Sequence, residues 1–316
     1  EASAVFTNTY STSASVNLGA RKLLTGHDLN RYQFLYQLTD EDGNVVRTAS
    51  NARPDSEVPA TETVDMEEQA PITFGALYFD NDDDGITHTY YLTETNSNRP
   101  GYTYDDTKYK VEITPHDNGD GTMSCDVAYY DDEDQLITGG SDKNSEVIFS
   151  NEYHAEGSFS LQGLKELTGG QLQDNQFSFE IGKVSTNNGK TSFNPIQSAT
   201  NNADGTIYFD DVTFTQLNAG KTYTYAMHEV AGKDSTLDYD SHWFLVEVSV
   251  VDNDDGTLSL QTNYGDESSP LTASCWICEG SGSVNGEDCP SCDGGVIASS
   301  GESYIFENAY HDGNLD

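Results

Sequence analysis

The sequence predicts an all-β protein made of two β-sandwich domains in tandem. Apolar and polar residues alternate with a period of two along much of the chain, as in half-buried strands. Asp-Gly turns, as at 117–122 and 252–257, separate the alternating segments. The run K-x-L-T-G begins at Lys22 and recurs about 143 positions later at Lys165, which indicates an internal repeat. Many short strands with regular turns favour a sandwich.

The repeat sets the predicted domain boundaries. Its other markers recur in the same order: a strand ending at Glu94 or Glu229, Tyr-Asp at 104–105 or 239–240, and F-x-N-x-Y around Asn151 or Asn308. We therefore predict repeat 1 over residues 11–153 and repeat 2 over 154–312, with a Cys-rich insertion at about 270–298. Residues 1–10 contain a further F-x-N-x-Y around Asn8 and are expected to end a preceding repeat or linker of a longer chain.

The composition excludes some partners. The net charge is -40, from 54 acidic and 14 basic residues, so the field of the protein repels nucleic acid and anionic membranes. The chain has no apolar run near the roughly 20 residues of a membrane span, so no membrane contact is expected in this segment. Its 19 Tyr and 13 Phe provide core material, which favours folded domains over disorder.

Strand parity places three polar residues of each repeat on apolar faces. Lys22 lies in line with Leu18 and Leu24, and Glu94 lies in line with Leu92. The third residue is Asn151, between Phe149 and Tyr153, and repeat 2 has Lys165, Glu229 and Asn308 in the same pattern. Lys and Glu are almost never fully buried unpaired. One interpretation is a buried ion pair with the Asn hydrogen-bonded beside it.

The other interpretation is a reaction between these side chains. Burial lowers the pKa of a lysine and raises that of a glutamate, so the amine becomes a nucleophile and the acid a proton shuttle. Attack on the Asn carboxamide would release ammonia and leave a Lys–Asn isopeptide bond, with Glu94 and Glu229 as catalysts. Because the bond forms once in each domain, no enzymatic turnover is expected.

Taken in order, these motifs resemble those of the streptococcal pilin isopeptide-linkage repeats of Gram-positive cell-surface adhesins. The resemblance covers nearly the whole chain, twice. It implies Ig-like, collagen-adhesin B-type sandwiches in an elongated arrangement, with bonds joining Lys22 to Asn151 and Lys165 to Asn308. The insertion in repeat 2 and the absence from this sequence of a pilin-type lysine motif depart from the pattern, and they favour a stalk segment over a polymerising shaft.

Four cysteines form a candidate metal site in the insertion. Cys275, Cys278, Cys289 and Cys292 follow the pattern C-x2-C-x10-C-x2-C, which suits structural zinc. The first pair resembles the C-x-x-C-x-G-x-G knuckle of DnaJ-type chaperones. The second pair departs from that pattern, since Val296 stands where the pattern has its second Gly. Two disulfides are the alternative, since the same cysteines would be oxidised on a cell surface.

An acidic loop gives a weak calcium candidate. Asp80, Asp82 and Asp84 precede Gly85 as D-x-D-x-D-G, the opening of a calcium loop. The twelfth position is Tyr91 rather than Glu, so a solvated acidic loop is the competing interpretation.

Two functions are consistent with these features. The first is a structural stalk segment on the surface of a Gram-positive cell, anchored through another part of the chain, with neighbouring repeats as partners. The second is an adhesin module that presents a zinc-stabilised loop to an unidentified host or carbohydrate ligand, and an exposed aromatic patch around Trp276 would favour it. An extracellular enzyme is the least favoured class, because no turnover site can be assembled.

Overall fold

The alternating segments form strands in both repeats. The computed structural model describes residues 5–60, 66–137, 147–301 and 304–310. The chain divides into two units, Glu1–His154 and Ala155–Asp316, and each unit contains one copy of the repeat. The helical elements described are single 3-10 turns, Asn81–Asp83 and Gln216–Asn218. The predicted all-β fold is therefore confirmed.

Repeat 1 is a sandwich of two sheets. Its strands are β1 Ser13–Thr25, β2 Leu35–Asp40, β3 Val45–Ser50, β4 Glu67–Asp80, β5 His88–Glu94, β6 Tyr102–Thr103, β7 Tyr109–Asp117, β8 Met123–Tyr130 and β9 Ile148–Tyr153. One sheet has the order β4-β1-β9-β6 and the other β3-β2-β5-β7-β8. Apolar residues of both sheets share one buried cluster, which includes Leu18, Tyr36 and Phe149.

Repeat 2 contains the same two sheets, with additions. Its strands are β10 Glu156–Phe159, β11 Gln162–Thr168, β12 Ser178–Asn187, β13 Lys190–Thr200, β14 Thr206–Tyr208, β15 Val212–Thr215, β16 Thr222–Val230, β17 Leu237–Asp238, β18 Trp243–Asp252, β19 Leu258–Asn263, β20 Leu271–Ser274, β21 Ser283–Val284, β22 Glu287–Asp288, β23 Val296–Ser299 and β24 Ile305–Tyr310. The two main sheets are β14-β11-β24-β17 and β13-β12-β16-β18-β19. The insertion supplies the small ribbons β20-β23 and β21-β22.

The first and last strands of each repeat are parallel neighbours. In repeat 1, β1 and β9 pair so that Lys22 lies opposite Phe149 and Leu24 opposite Asn151. In repeat 2, β11 and β24 have the same register, with Lys165 opposite Phe306. The Lys and the Asn are therefore two positions apart on adjacent strands and face the same side of the sheet. This register brings together side chains that are more than a hundred positions apart in the sequence.

The first strand differs between the repeats. In repeat 1 it is continuous over 13 residues, with a register shift between Leu18 and Gly19 against β4. In repeat 2 the same stretch is divided into β10, which pairs with β15, and β11, which pairs with β14 and β24. Both arrangements keep the lysine side chain buried.

Residues 5–10 differ from the other copies of their motif. They form no strand, and Phe6 is 91% exposed, whereas Phe149 and Phe306 are fully buried. Asn8 is likewise exposed, so it lies outside both sandwich cores.

A buried asparagine secures the same loop in each repeat. Asn51 accepts the backbone N–H of Phe34 at 2.9 Å and donates to the carbonyls of Asn30 and Ala52. In repeat 2, Asn201 makes the equivalent set of three hydrogen bonds, including one from the N–H of Phe177 at 2.8 Å. A buried carboxamide with all its partners stabilises a loop, and removing it leaves those partners unpaired.

We therefore expect Asn51→Ala to lower the free energy of unfolding of repeat 1 by about 2 to 4 kcal/mol, because several buried polar groups lose their partners. Denaturant unfolding measures the change, and Asn201→Ala is the matched variant that should affect repeat 2 alone. If Asn51→Ala lowers the free energy of unfolding by less than about 1 kcal/mol, water must have replaced the hydrogen bonds of the carboxamide.

Candidate functional site

The structure brings Lys22, Glu94 and Asn151 together inside repeat 1. Lys22 Nζ lies 2.9 Å from Glu94 Oε2, and both side chains are fully buried. Asn151 Nδ2 donates to Glu94 Oε1 at 2.8 Å. Lys22 and Asn151 come from one sheet and Glu94 from the facing sheet, so the three groups meet between the layers. One carboxyl group therefore bridges the amine and the carboxamide nitrogen.

Repeat 2 contains the same arrangement. Lys165 Nζ lies 2.8 Å from Glu229 Oε2, with both side chains fully buried. Asn308 Nδ2 donates to Glu229 Oε1 at 2.7 Å. Two stretches of different sequence have thus folded to the same three-residue geometry.

The carboxamide orientation is set by the hydrogen bonds of the site. The backbone N–H of Asp105 donates to Asn151 Oδ1 at 2.8 Å, and in repeat 2 the N–H of Asp240 donates to Asn308 Oδ1 at 2.8 Å. A main-chain N–H can only donate, so the carboxamide oxygen must face it and the nitrogen must face the glutamate.

Burial changes the pKa of both charged groups. Desolvation lowers the pKa of Lys22 to about 8, although attraction to Glu94 opposes this shift. Burial raises the pKa of Glu94, against the opposing effect of Lys22. The directions are the same for Lys165 and Glu229. Both shifts favour a neutral amine beside a protonated acid.

An aromatic ring covers each lysine amine. Lys22 Nζ lies 4.4 Å from the ring centroid of Phe34, and Lys165 Nζ lies 4.8 Å from that of Phe177. These are the phenylalanines whose backbone Asn51 and Asn201 hold. The rings keep water from the amine, and the sequence analysis did not identify them. Aligning the two repeats at Phe34 and Phe177 would have pointed to them.

The four cysteines of the insertion form a compact cluster. All four Sγ atoms lie within 4.8 Å of one another, with Cys275 and Cys289 3.9 Å apart and Cys278 and Cys292 3.5 Å apart. Thiolates about 2.3 Å from a tetrahedral zinc ion are separated by roughly 3.8 Å. The residues present therefore fit a four-cysteine zinc site.

The two cysteine turns hold each other in place. The N–H of Cys275 donates to the carbonyl of Gly295, and that of Cys289 donates to the carbonyl of Gly282. Gly295 has a φ of +92°, and a Cβ there would overlap the carbonyl oxygen of Gly280. Gly295, which follows the second cysteine pair, is thus required for the close approach of the two turns.

The insertion shares a core with the main sheet of repeat 2. Its cysteines and Ile297 belong to the same buried cluster as Trp243 and Leu245. Trp276 stacks on Phe193 at 5.8 Å and meets Trp243 edge to face at 4.8 Å. Trp276 is half-buried in this contact, so it does not form the exposed patch that would favour a ligand-binding loop.

The calcium candidate stays a prediction. Among the described residues, Asp80, Asp82 and Asp84 do not form a group whose ligand oxygens converge. Asp80 Oδ1 accepts the N–H of Asp82, and Asp84 Oδ1 accepts the N–H of Asp117. The carboxylates of Asp80 and Asp84 thus cap a 3-10 turn and a neighbouring hairpin, which is consistent with a solvated acidic loop.

The site and the fold define a class of protein: a tandem β-sandwich with a buried Lys, Glu and Asn in each domain. The family described as "FctA: Spy0128-like isopeptide containing domain" matches residues 18–154 and 161–311. The chain belongs to this family, which confirms the resemblance to pilin isopeptide repeats and its two copies.

Solved structures similar to this chain include pilus proteins. The T-13 major pilin of Streptococcus pyogenes is 11% identical, with 95% of this chain and 99% of that chain covered and a TM-score of 0.31. Another Streptococcus pyogenes major pilin is 16% identical, with coverages of 93% and 98% and a TM-score of 0.28. A C-terminal fragment of the pilus adhesin SpaC from Lactobacillus rhamnosus GG is 15% identical, with coverages of 94% and 98% and a TM-score of 0.26. Because these superpositions are loose, family membership rests on the sequence match.

Among curated proteins, no relative matches the chain. Within the part of the chain that the structure describes, no helix is long and apolar enough to cross a membrane.

Proposed function

We propose that this chain is a stalk segment of a Gram-positive surface or pilus-like protein, with each domain locked by an intramolecular Lys–Asn isopeptide bond. The observation that carries the proposal is the single carboxyl group that touches both reacting nitrogens, at 2.9 and 2.8 Å in repeat 1. An ion pair needs only the contact with the lysine. The second contact places a proton donor on the leaving nitrogen as well.

The reaction follows from this geometry. Lys22 transfers a proton to Glu94 Oε2, and its neutral Nζ attacks Cγ of Asn151. Negative charge develops on Oδ1 while Glu94 protonates Nδ2, the Cγ–Nδ2 bond breaks and ammonia leaves. The Nζ–Cγ bond has then formed and the carbonyl is restored. Nζ gives its second proton to Glu94, and that proton leaves with the ammonia as ammonium, so Glu94 returns to its starting carboxylate.

The topology explains why such a bond suits a stalk. Tension enters repeat 1 through β1 and leaves through β9, which are hydrogen-bonded neighbours. A covalent link between Lys22 and Asn151 would carry the load directly from one strand to the other. The residues between them would then remain folded under tension.

The rate of bond formation should have a bell-shaped dependence on pH. At low pH both groups are protonated and the Lys22 amine is not nucleophilic, whereas at high pH Glu94 has no proton to donate. The maximum should lie between the raised pKa of Glu94 and the Lys22 pKa of about 8, and the two groups titrate as a pair.

A cell-free translation chase, stopped by denaturant and analysed by mass spectrometry, measures this rate. A rate that keeps rising to about pH 10 would contradict proton donation by Glu94.

We propose structural zinc for the cysteine cluster. The ligands would be Cys275, Cys278, Cys289 and Cys292, and the ion would hold the two turns together. Four protein ligands leave no open position for a substrate, so the ion's contribution would be to stability. The spacing of the sulfur atoms and the mutual hydrogen bonds of the turns support this assignment over a ligand-binding role.

A further inference from the structure

The Tyr-Asp marker lies against the reacting groups of both repeats. The main-chain N–H of Asp105 is 2.8 Å from Asn151 Oδ1, and that of Asp240 is 2.8 Å from Asn308 Oδ1. In the reaction proposed above, this oxygen becomes negatively charged when the lysine attacks. Donors 2.7–3.1 Å from a developing oxyanion are the usual means of stabilising such charge.

The aspartate side chain holds the N–H donor in position. Asp105 Oδ2 accepts the N–H of Ser150 at 2.6 Å, and Oδ1 accepts the N–H of Thr107 at 2.9 Å. Ser150 directly precedes Asn151 on β9, so the carboxylate ties the loop to the strand that carries the reacting carboxamide.

In repeat 2, the Asp240 carboxylate accepts the equivalent two main-chain hydrogen bonds from different residues. Asp240 Oδ2 accepts the N–H of Glu307, which directly precedes Asn308, and Oδ1 accepts the N–H of His242, both at 2.8 Å. Ser150 and Thr107 are thus replaced by Glu307 and His242, while the two main-chain contacts are kept; Asp240 Oδ1 also lies 2.7 Å from His242 Nδ1. Because the contacts are made to main-chain N–H groups, only the aspartate itself must be kept.

We propose that the main-chain N–H groups of Asp105 and Asp240 are the oxyanion donors of isopeptide formation, and that the two carboxylates position them. This inference rests on the proposed function. The donor stabilises negative charge on Oδ1 during attack and keeps Nδ2 facing the glutamate beforehand. Without it, a rotated carboxamide would present its oxygen to the glutamate and its nitrogen to the N–H, and no proton could reach the leaving group.

A purely electrostatic role for the carboxylate makes a different prediction. The charge of Asp105 raises the pKa values of both Lys22 and Glu94. Removing that charge would shift the pH optimum of bond formation to lower pH. Loss of the positioned donor would in addition lower the maximal rate, which a shift of the optimum alone leaves unchanged.

The test compares three substitutions in the full chain, with repeat 2 unaltered as an internal reference. Asp105→Ala removes both anchoring contacts, and Asp105→Asn retains one acceptor. Asp106→Ala is the matched control, because Asp106 is an exposed neighbour with the same charge. The rate at which the cross-linked peptide joining Lys22 to Asn151 appears is followed by mass spectrometry of digested samples from a cell-free chase at several pH values, and the peptide joining Lys165 to Asn308 gives the reference rate.

We expect Asp105→Ala to slow bond formation in repeat 1 by roughly 10- to 100-fold at every pH tested, beyond any shift of the pH optimum caused by the lost charge. A lost oxyanion donor costs about 100- to 1,000-fold, and here the donor is only displaced. Asp105→Asn should be intermediate, and Asp106→Ala should match the parent chain. Unfolding of the same variants in a Glu94→Gln background, where no bond forms, measures their structural cost separately. If Asp105→Ala does not fold in the Glu94→Gln background, the rate of bond formation in Asp105→Asn is compared with that of the parent chain instead.

The inference is overturned if Asp105→Ala, or Asp105→Asn where that variant decides, reacts at the parent rate. It is also overturned if the pH optimum shifts without a general loss of rate, or if Asp106→Ala is equally slow. A parent chain that never loses ammonia would instead overturn the proposed function itself.

Discussion

Glu94→Gln is expected to leave repeat 1 without its cross-link and to lower its free energy of unfolding by about 5 kcal/mol, the value for closing a loop of roughly 130 residues. For a domain of this size, that loss corresponds to a fall in melting temperature of roughly 10 to 20 °C. Calorimetry of the two-domain chain should show one transition moving and the other unchanged. Glu229→Gln should produce the reverse pattern.

A double variant separates the cross-link from the ion pair. Glu94→Gln alone leaves the buried Lys22 without its carboxylate, and an unpaired buried charge is itself destabilising. Lys22→Met combined with Glu94→Gln removes the charge and the bond together. If repeat 1 of the double variant has the same melting temperature as repeat 1 of the parent chain, the covalent bond contributes nothing measurable to stability.

Removing zinc is expected to unfold the insertion while the rest of repeat 2 stays folded. Zinc-finger peptides gain about 10–16 kcal/mol from the metal, far more than the short ribbons β20-β23 and β21-β22 could supply alone. Trp276 and Trp243, which pack between the insertion and the sheet, should then change their fluorescence. Metal analysis should find one zinc per chain before chelation and none after it.

Cys278→Ser with Cys292→Ser should reproduce the effect of the chelator, and Cys125→Ser is the control, because Cys125 packs against the core of repeat 1. Mass spectrometry without reductant distinguishes the alternative. A metal-free chain lighter by four hydrogens would establish two disulfides in place of zinc.

Strand parity was sufficient to predict which side chains point inward. The alternation around Lys22, Glu94 and Asn151 is local, and burial of one sheet face fixes it. The sequence did not determine that β1 and β9 pair in parallel with Lys22 opposite Phe149, because register between distant strands depends on the packing of the whole domain. That pairing was expected only from the resemblance of the repeats to pilin isopeptide-linkage repeats.

Groups that act through the backbone could not be predicted from side-chain patterns. Asp105 was recognised as a marker, but the N–H that contacts Asn151 has no residue-type signature. Asn51 was missed because its partners are main-chain groups of a loop. The calcium pattern at Asp80 is ambiguous for a related reason, since turn caps and calcium loops both place aspartates at alternate positions.

The most direct test of the account is the intact mass of the purified chain, denatured, reduced and freed of metal. Each isopeptide bond releases one ammonia, so two bonds should give a mass about 34 Da below that calculated from the sequence. Fragmentation should then recover peptides joining Lys22 to Asn151 and Lys165 to Asn308. The full calculated mass would contradict covalent locking and leave each buried Lys, Glu and Asn as a hydrogen-bonded ion pair.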